Sequence, residues 1–160
     1  MLFRSRDALY LSGGGAVLAI DGVTLRDQWR APWPSGHNFD QRPALGVTGD
    51  GGWVAASAPS GLLVLDADGG GDARMVRFDG HDPVTLVGVP GRPVLVALRR
   101  FAARGESPSY AIDAIELPGG AVTTLRPDRG PSDLPAIAVA GDVVIVGPGA
   151  PPRQPGDAVP

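Results

Sequence analysis

A chain of 160 residues, 43% hydrophobic and 19% charged, can bury about 70% of its unfolded surface in one core and is too apolar for a disordered segment. Its net charge of −3 gives no basic field to draw nucleic-acid phosphate or an anionic membrane, and its longest apolar runs, at 94–98 and 143–146, fall far short of the ~20 residues that span a bilayer. The absence of cysteine removes disulfides, thiolate nucleophiles and sulfur-built zinc sites.

The chain opens "MLFRS" directly against an apolar run. Back-translated as GTG CTC TTC CGA TCT, these residues match the end of a sequencing adapter, so residues 1–5 are expected to be a non-native leader. "ALYLSGGGAVLAIDG" at 8–22 then reads as an apolar strand, a Gly-rich turn and a second strand ending in Asp21, with another strand at 24–30. The connector "APWPSGHNFDQRP" at 31–43 leads to an apolar strand at 44–48. "WVAASAPSGLLVLDADGG" at 53–70 repeats the hairpin, with 12 positions from Val54 to Asp66 as there are 12 from Leu9 to Asp21. Strands follow at 74–78 and 85–89. In "VLVALRRFAARGESPSYAIDAIELPGG", Leu95 takes the place of Val54 and Glu116 that of Asp66, now 21 positions apart, with nine residues inserted around "RRFAARGESP". After strands at 121–125 and 136–140, "IAVAGDVVIVG" opens a fourth copy at Val144. Residues 148–160 read as a Pro- and Gly-rich loop or a truncated end.

Glycine, at 24 residues, and proline, at 17, fall between these runs as punctuation, the pattern of many short strands. All 14 basic residues are arginine, which implies a GC-rich, bacterial gene and a surface of planar, permanently charged forks. The spacings between Leu9, Val54, Leu95 and Val144 are 45, 41 and 49 residues, and units of that length with four short strands each are blades of a β-propeller. The near-continuous apolar strands fit burial on both faces, between neighbouring sheets. The expected fold is therefore all-β, an incomplete β-propeller arc of four-stranded antiparallel blades at about 6–30, 44–78, 84–126 and 136–147. The first blade is expected to lack its inner strand and the last to stop after its second. Propellers close with four to eight blades, so a segment of a longer protein is expected, one that made alone would be oligomeric, unstable or insoluble.

The first copy, "ALYLSGGGAVLAIDGVTLRDQWRA", resembles a repeat of the pyrroloquinoline-quinone-type (PQQ-like) β-propellers. Leu18-Ala19-Ile20-Asp21 fits the second strand, Gly22 the turn and Trp29 the tryptophan of that repeat; the later copies keep the strands without the Trp, and WD40-like or six-bladed propellers remain alternatives. The resemblance implies a scaffold for binding or protein assembly rather than a particular reaction, and favours the cell envelope. Quinoprotein dehydrogenases of this family use the quinone with calcium and commonly a vicinal disulfide. The chain has no cysteine to match that disulfide, so no cofactor is assigned to this segment; the alternative is a piece of such an enzyme whose catalytic residues lie elsewhere.

No residue is assigned a catalytic, cofactor-binding or metal-binding role. Asp66-Ala67-Asp68-Gly69, with Asp72, suggests a calcium loop, and Gly71 fits its sixth position, but Arg77 stands where the twelfth needs Glu; a tight turn is expected instead. Gly13-Gly14-Gly15 lacks the Lys-Ser/Thr of a phosphate loop and precedes a strand, so it reads as a turn. His37 and His81 fall in separate polar loops, no G-x-S-x-G elbow is present, and Trp29 and Trp53 are expected to pack between or within blades. Because strand direction alternates within a blade, the turn after each second strand and the connector after each fourth emerge at one end. That end carries the longest loops, where function concentrates. It is the expected recognition face for a protein or small ligand of acidic or aromatic character, through Trp33, His37, Phe39, Arg42, Arg99, Arg100 and Arg104.

Overall fold

The computed structural model describes residues 2–5, 8–13, 15–33, 43–58, 61–69, 71, 73–78, 82–101, 108–127 and 135–148, and every regular element among them is a β-strand. The first sheet holds β1 (Leu2–Ser5), β2 (Ala8–Gly13), β3 (Ala16–Asp21) and β4 (Asp27–Pro32). The second holds β5 (Leu45–Val47), β6 (Trp53–Ala58), β7 (Gly61–Asp66) and β8 (Arg74–Arg77). The third holds β9 (Asp82–Gly88), β10 (Val94–Phe101), β11 (Ser109–Glu116) and β12 (Ala121–Arg126), and the fourth β13 (Pro135–Ala140) and β14 (Val143–Pro148). In each sheet the strands lie side by side in chain order and pair antiparallel, so within a sheet successive strands are joined as hairpins.

The sheets stack face to face through three apolar layers. Successive side chains of a strand point to opposite faces, and here both faces are covered. In the second sheet Val54, Ala56, Leu63 and Leu65 pack toward Tyr10, Val17 and Ala19 of the first. The intervening Ala55, Leu62 and Val64 pack toward Leu95, Ala97 and Ile115 of the third. Val96, Leu98 and Ile112 in turn meet Ile137, Val139 and Val144 of the fourth. This explains why β7, "GLLVLD", is apolar without alternation: all but its final Asp66 is buried. The outermost strand β12 is exposed along its whole length.

The inner strands touch in sequence, β1 against β5, β5 against β9 and β9 against β13. Glycine allows the approach. A Cβ at Gly88 would overlap the Val47 carbonyl, and one at Gly46 would lie 2.6 Å from Leu86 Cβ. Sheets radiating from contiguous inner strands are propeller blades, and these four form an arc that is open between its first and last sheets.

Three strand positions differ from the sequence reading, one of them β9, which begins at Asp82 rather than residue 85. The first sheet does not lack an inner strand: Leu2–Ser5 supplies it, pairing Leu2 with Leu11 through Ser5 with Ala8. An extended segment two residues upstream of an unpaired strand edge is positioned to satisfy that edge's backbone groups, whatever its origin. The fourth strand of that sheet begins at Asp27 rather than residue 24. Asp21 Oδ1 accepts the amides of Val23 (2.9 Å) and Thr24 (2.6 Å), and Leu25 takes a positive φ of 56°, so the chain turns for longer before extending.

Candidate functional site

The strands give the arc two unlike ends. The turn end carries the loops at 22–26, 48–52, 67–69, 89–93, 117–120 and 141–142. The connector end carries the turns after β2, β6 and β10 and the links between sheets. At the connector end β10 and β11 run for 8 residues each where β6 and β7 run for 6. Part of the nine-residue insertion therefore lengthens both strands, and the third hairpin projects beyond the others. Its described tip carries Arg100 opposite Tyr110 and Phe101 opposite Ser109, with Arg100 exposed and Phe101 41% exposed.

At the base of this hairpin lies a polar node between the second and third sheets. Asp113 is wholly buried and pairs through Oδ2 with Arg99 Nε. Arg99 also stacks on Phe78, its guanidinium carbon 5.1 Å from the ring centroid, a cation–π contact across the sheet boundary. Both partners sit at irregularities in register, Arg99 where β10 shifts against β9 and Asp113 where β11 shifts against β12. Bulges of this kind bend a strand and re-aim its side chains. By register, the second sheet has Ala58 and Leu63 in these two places, so the ion pair belongs to the third copy and not to the repeat.

Charged side chains lie at both ends. Arg77, Arg100 and Arg126 are exposed in the half toward the connectors, and Arg30 lies level with them. Asp21, Asp50, Asp66, Asp68, Glu116 and Asp142 sit at turns of the opposite end, where Arg26, Arg74 and Arg92 are exposed too. There Arg92 bridges to Asp142 at 3.0 Å, and the amides that Asp21 accepts, chiefly that of Thr24, hold its carboxyl below the ordinary range.

Of the residues expected to form the recognition face, Arg100 is on the surface and Arg99 is occupied by Asp113 and Phe78. Trp33 is 8% exposed and belongs to the core between the first and second sheets, its amide bonded to Gly15 O at 2.9 Å. His37, Phe39, Arg42 and Arg104 lie outside the described residues, as does His81. The reading passed over Asp113 and Phe78; the signal for Asp113 was a carboxylate inside the apolar run "YAIDAI". Trp29 packs against the core between the first two sheets and donates Nε1–H to Ala67 O (3.0 Å), which also accepts from the Tyr10 hydroxyl (3.3 Å). Asp66 Oδ1 accepts the Asp68 amide at 2.8 Å and caps a turn at 67–69. Gly15, with φ of 79°, completes the turn into β3.

Among the described residues no group of three or more His, Cys, Asp or Glu converges, and no helix is long and apolar enough to cross a membrane. No protein-family model and no curated protein matches the chain. Solved structures do match it. The tricorn protease aligns over 84% of this chain and 14% of its own, with a TM-score of 0.57 and 11% identity. A putative TolB from Agrobacterium tumefaciens aligns over 77% of this chain and 47% of its own, with a TM-score of 0.50 and 12% identity. This chain therefore spans less than half the length of either. At such identities the likeness is one of fold alone, and the fold is the β-propeller.

Proposed function

We propose that this chain is a non-catalytic β-propeller module of the PQQ-like type, which binds an acidic partner at its connector end. The observation that carries the reading is the projecting β10–β11 hairpin, which presents exposed Arg100 in the half of the arc where Arg77 and Arg126 are also exposed. An acidic ligand is drawn to such a set of positive charges. Phe101 and Tyr110 add aromatic surface beside Arg100, and planar guanidinium groups match carboxylates in pairs. His37, Phe39, Arg42 and Arg104, outside the described residues, are proposed to extend the surface.

The PQQ-like assignment is supported by Trp29, whose ring packs between blades as the tryptophan of such a repeat would. A scaffold role is supported by Asp113. It is the one fully buried ionisable side chain among the described residues, and its Oδ2 is engaged by Arg99. The test is fluorescence anisotropy with a labelled Glu-rich peptide containing tyrosine. Binding should weaken with added salt and fall about tenfold or more, roughly 1.4 kcal/mol, on joint substitution of Arg77, Arg100 and Arg126 by Glu. Glu116→Arg at the opposite end should change little. Equal binding of an uncharged peptide, or indifference to the arginine substitutions, would sink the reading.

A further inference from the structure

The three layers inside the arc are built from two complementary faces. Each sheet turns one face back toward the sheet before it, and these positions recur by register: Val54, Ala56 and Leu65 in the second sheet, Leu95, Ala97 and Ile115 in the third. Each also turns a forward face toward the sheet after it, at positions equivalent to Tyr10 in the first sheet, Ala55 in the second and Val96 in the third. The arc leaves one of each uncovered. On the first sheet the backward face is Leu9, Leu11, Leu18 and Ile20, all partly exposed and outside the three core layers. On the fourth sheet the forward face is Val143, 61% exposed, and Ile145, 52% exposed, opposite the exposed Ala140 and Ala138.

We infer that these two faces join copies of this chain head to tail. The argument is continuity with the interfaces already inside the molecule. Ile145 stands where Tyr10 and Ala55 stand, and Leu9 stands where Val54 and Leu95 stand; Tyr10 shares one core layer with Val54, and Ala55 shares the next with Leu95. Ile145 of one copy therefore meets Leu9 of the next through the contact the chain makes within itself. Both surfaces are apolar at the centre, which a soluble monomer seldom leaves uncovered as a contiguous patch. The contact is heterologous, since it uses different surfaces on the two copies, and such contacts close into rings when the rotation allows. Two copies bring together six four-stranded sheets and two two-stranded ones. This inference is independent of ligand binding at the connector end.

Analytical ultracentrifugation of the purified 160-residue chain tests it. The expected result is a species of twice the chain mass, reduced to monomer by Leu9→Glu and equally by Ile145→Glu. An equimolar mixture of the two variants should recover a dimer, because one unaltered junction forms between them. A sheet-on-like-sheet dimer would lose association with only one of the variants and gain nothing on mixing, which overturns the inference; so does a monomeric parent chain. Should the Glu variants unfold by circular dichroism, cysteines decide. The chain has none of its own, so Leu9→Cys mixed with Ile145→Cys should form a disulfide between copies that neither forms alone. Cross-linking of either variant with itself, or none in the mixture, refutes head-to-tail pairing.

Discussion

Asp113 and Arg99 show how one copy of a repeat departs from its siblings. The second sheet fills the same two places with Leu63 and Ala58. A buried pair seldom stabilises more than a well-packed apolar substitute, whereas removing one partner strands the other charge. Asp113 Oδ1 already has no hydrogen-bond partner among the described residues, so the node is only partly satisfied. Arg99→Ala alone should cost about 3 kcal/mol, read as a lower urea midpoint at unchanged slope. Adding Asp113→Leu, which copies the second sheet, should restore most of the loss; a double variant as unstable as the single would show that the pair itself stabilises this interface. The sequence displays a carboxylate in an apolar strand but not its partner. The two residues stand 14 apart across a hairpin of inserted length, and bulges in both strands hide the register.

Asp21 is the other residue whose charge matters to the fold. Its carboxyl is held below the ordinary range, first by the Thr24 amide and then by the Thr24 side chain and the Val23 amide. A carboxyl whose folded pKa is lowered stabilises fully above its unfolded pKa and loses that contribution as the pH falls through the folded value. Asp21→Ala should therefore lower the melting temperature at neutral pH and leave it nearly unchanged once the solution is acid enough to protonate both states. A difference that persists undiminished into acid would show that the charge of Asp21 contributes nothing.

At the level of elements, the hairpins were legible and the inner strands less so. Turns of small residues between apolar runs at β2–β3 and β6–β7 mark those hairpins without ambiguity. The first sheet's inner strand, β1, was not, because a segment expected to be a leader still pairs with the edge of β2. The start of β4 was displaced because one Asp side chain prolonged the turn before it. The inner strands depend on a requirement that composition alone hides, which is the absence of a side chain at a crossing. Gly88→Ala should cost about 1–3 kcal/mol, since its methyl would run into the Val47 carbonyl backbone. Gly119→Ala, where nothing lies within 4 Å, should shift stability by under about 0.5 kcal/mol. Paired thermal melts would check both, and equal effects would show that the approach of β5 and β9 is not close enough to exclude a methyl group.

For the molecule as a whole, the arc followed from arithmetic on equivalent positions, because a repeat recurring every 41 to 49 residues fixes both the number of sheets and their order. The placing of Arg77, Arg100 and Arg126 in one half of the arc did not follow from net charge, which is only −3; it emerges once alternating strand direction assigns each described strand end to one side. The candidate face was legible as a set of loops, and less so as a set of side chains. Trp33, read as surface, lies in the core, because the chain leaving β4 still runs alongside the first sheet and bonds back to Gly15.

Every sheet is made of consecutive strands, and the second, third and fourth each rest on the sheet immediately before. During synthesis from the N-terminus, the second and third sheets therefore have all four strands and a supporting surface as soon as they clear the ribosome. No described strand in them waits for a partner encoded far downstream, so their folding can keep pace with translation, one blade at a time.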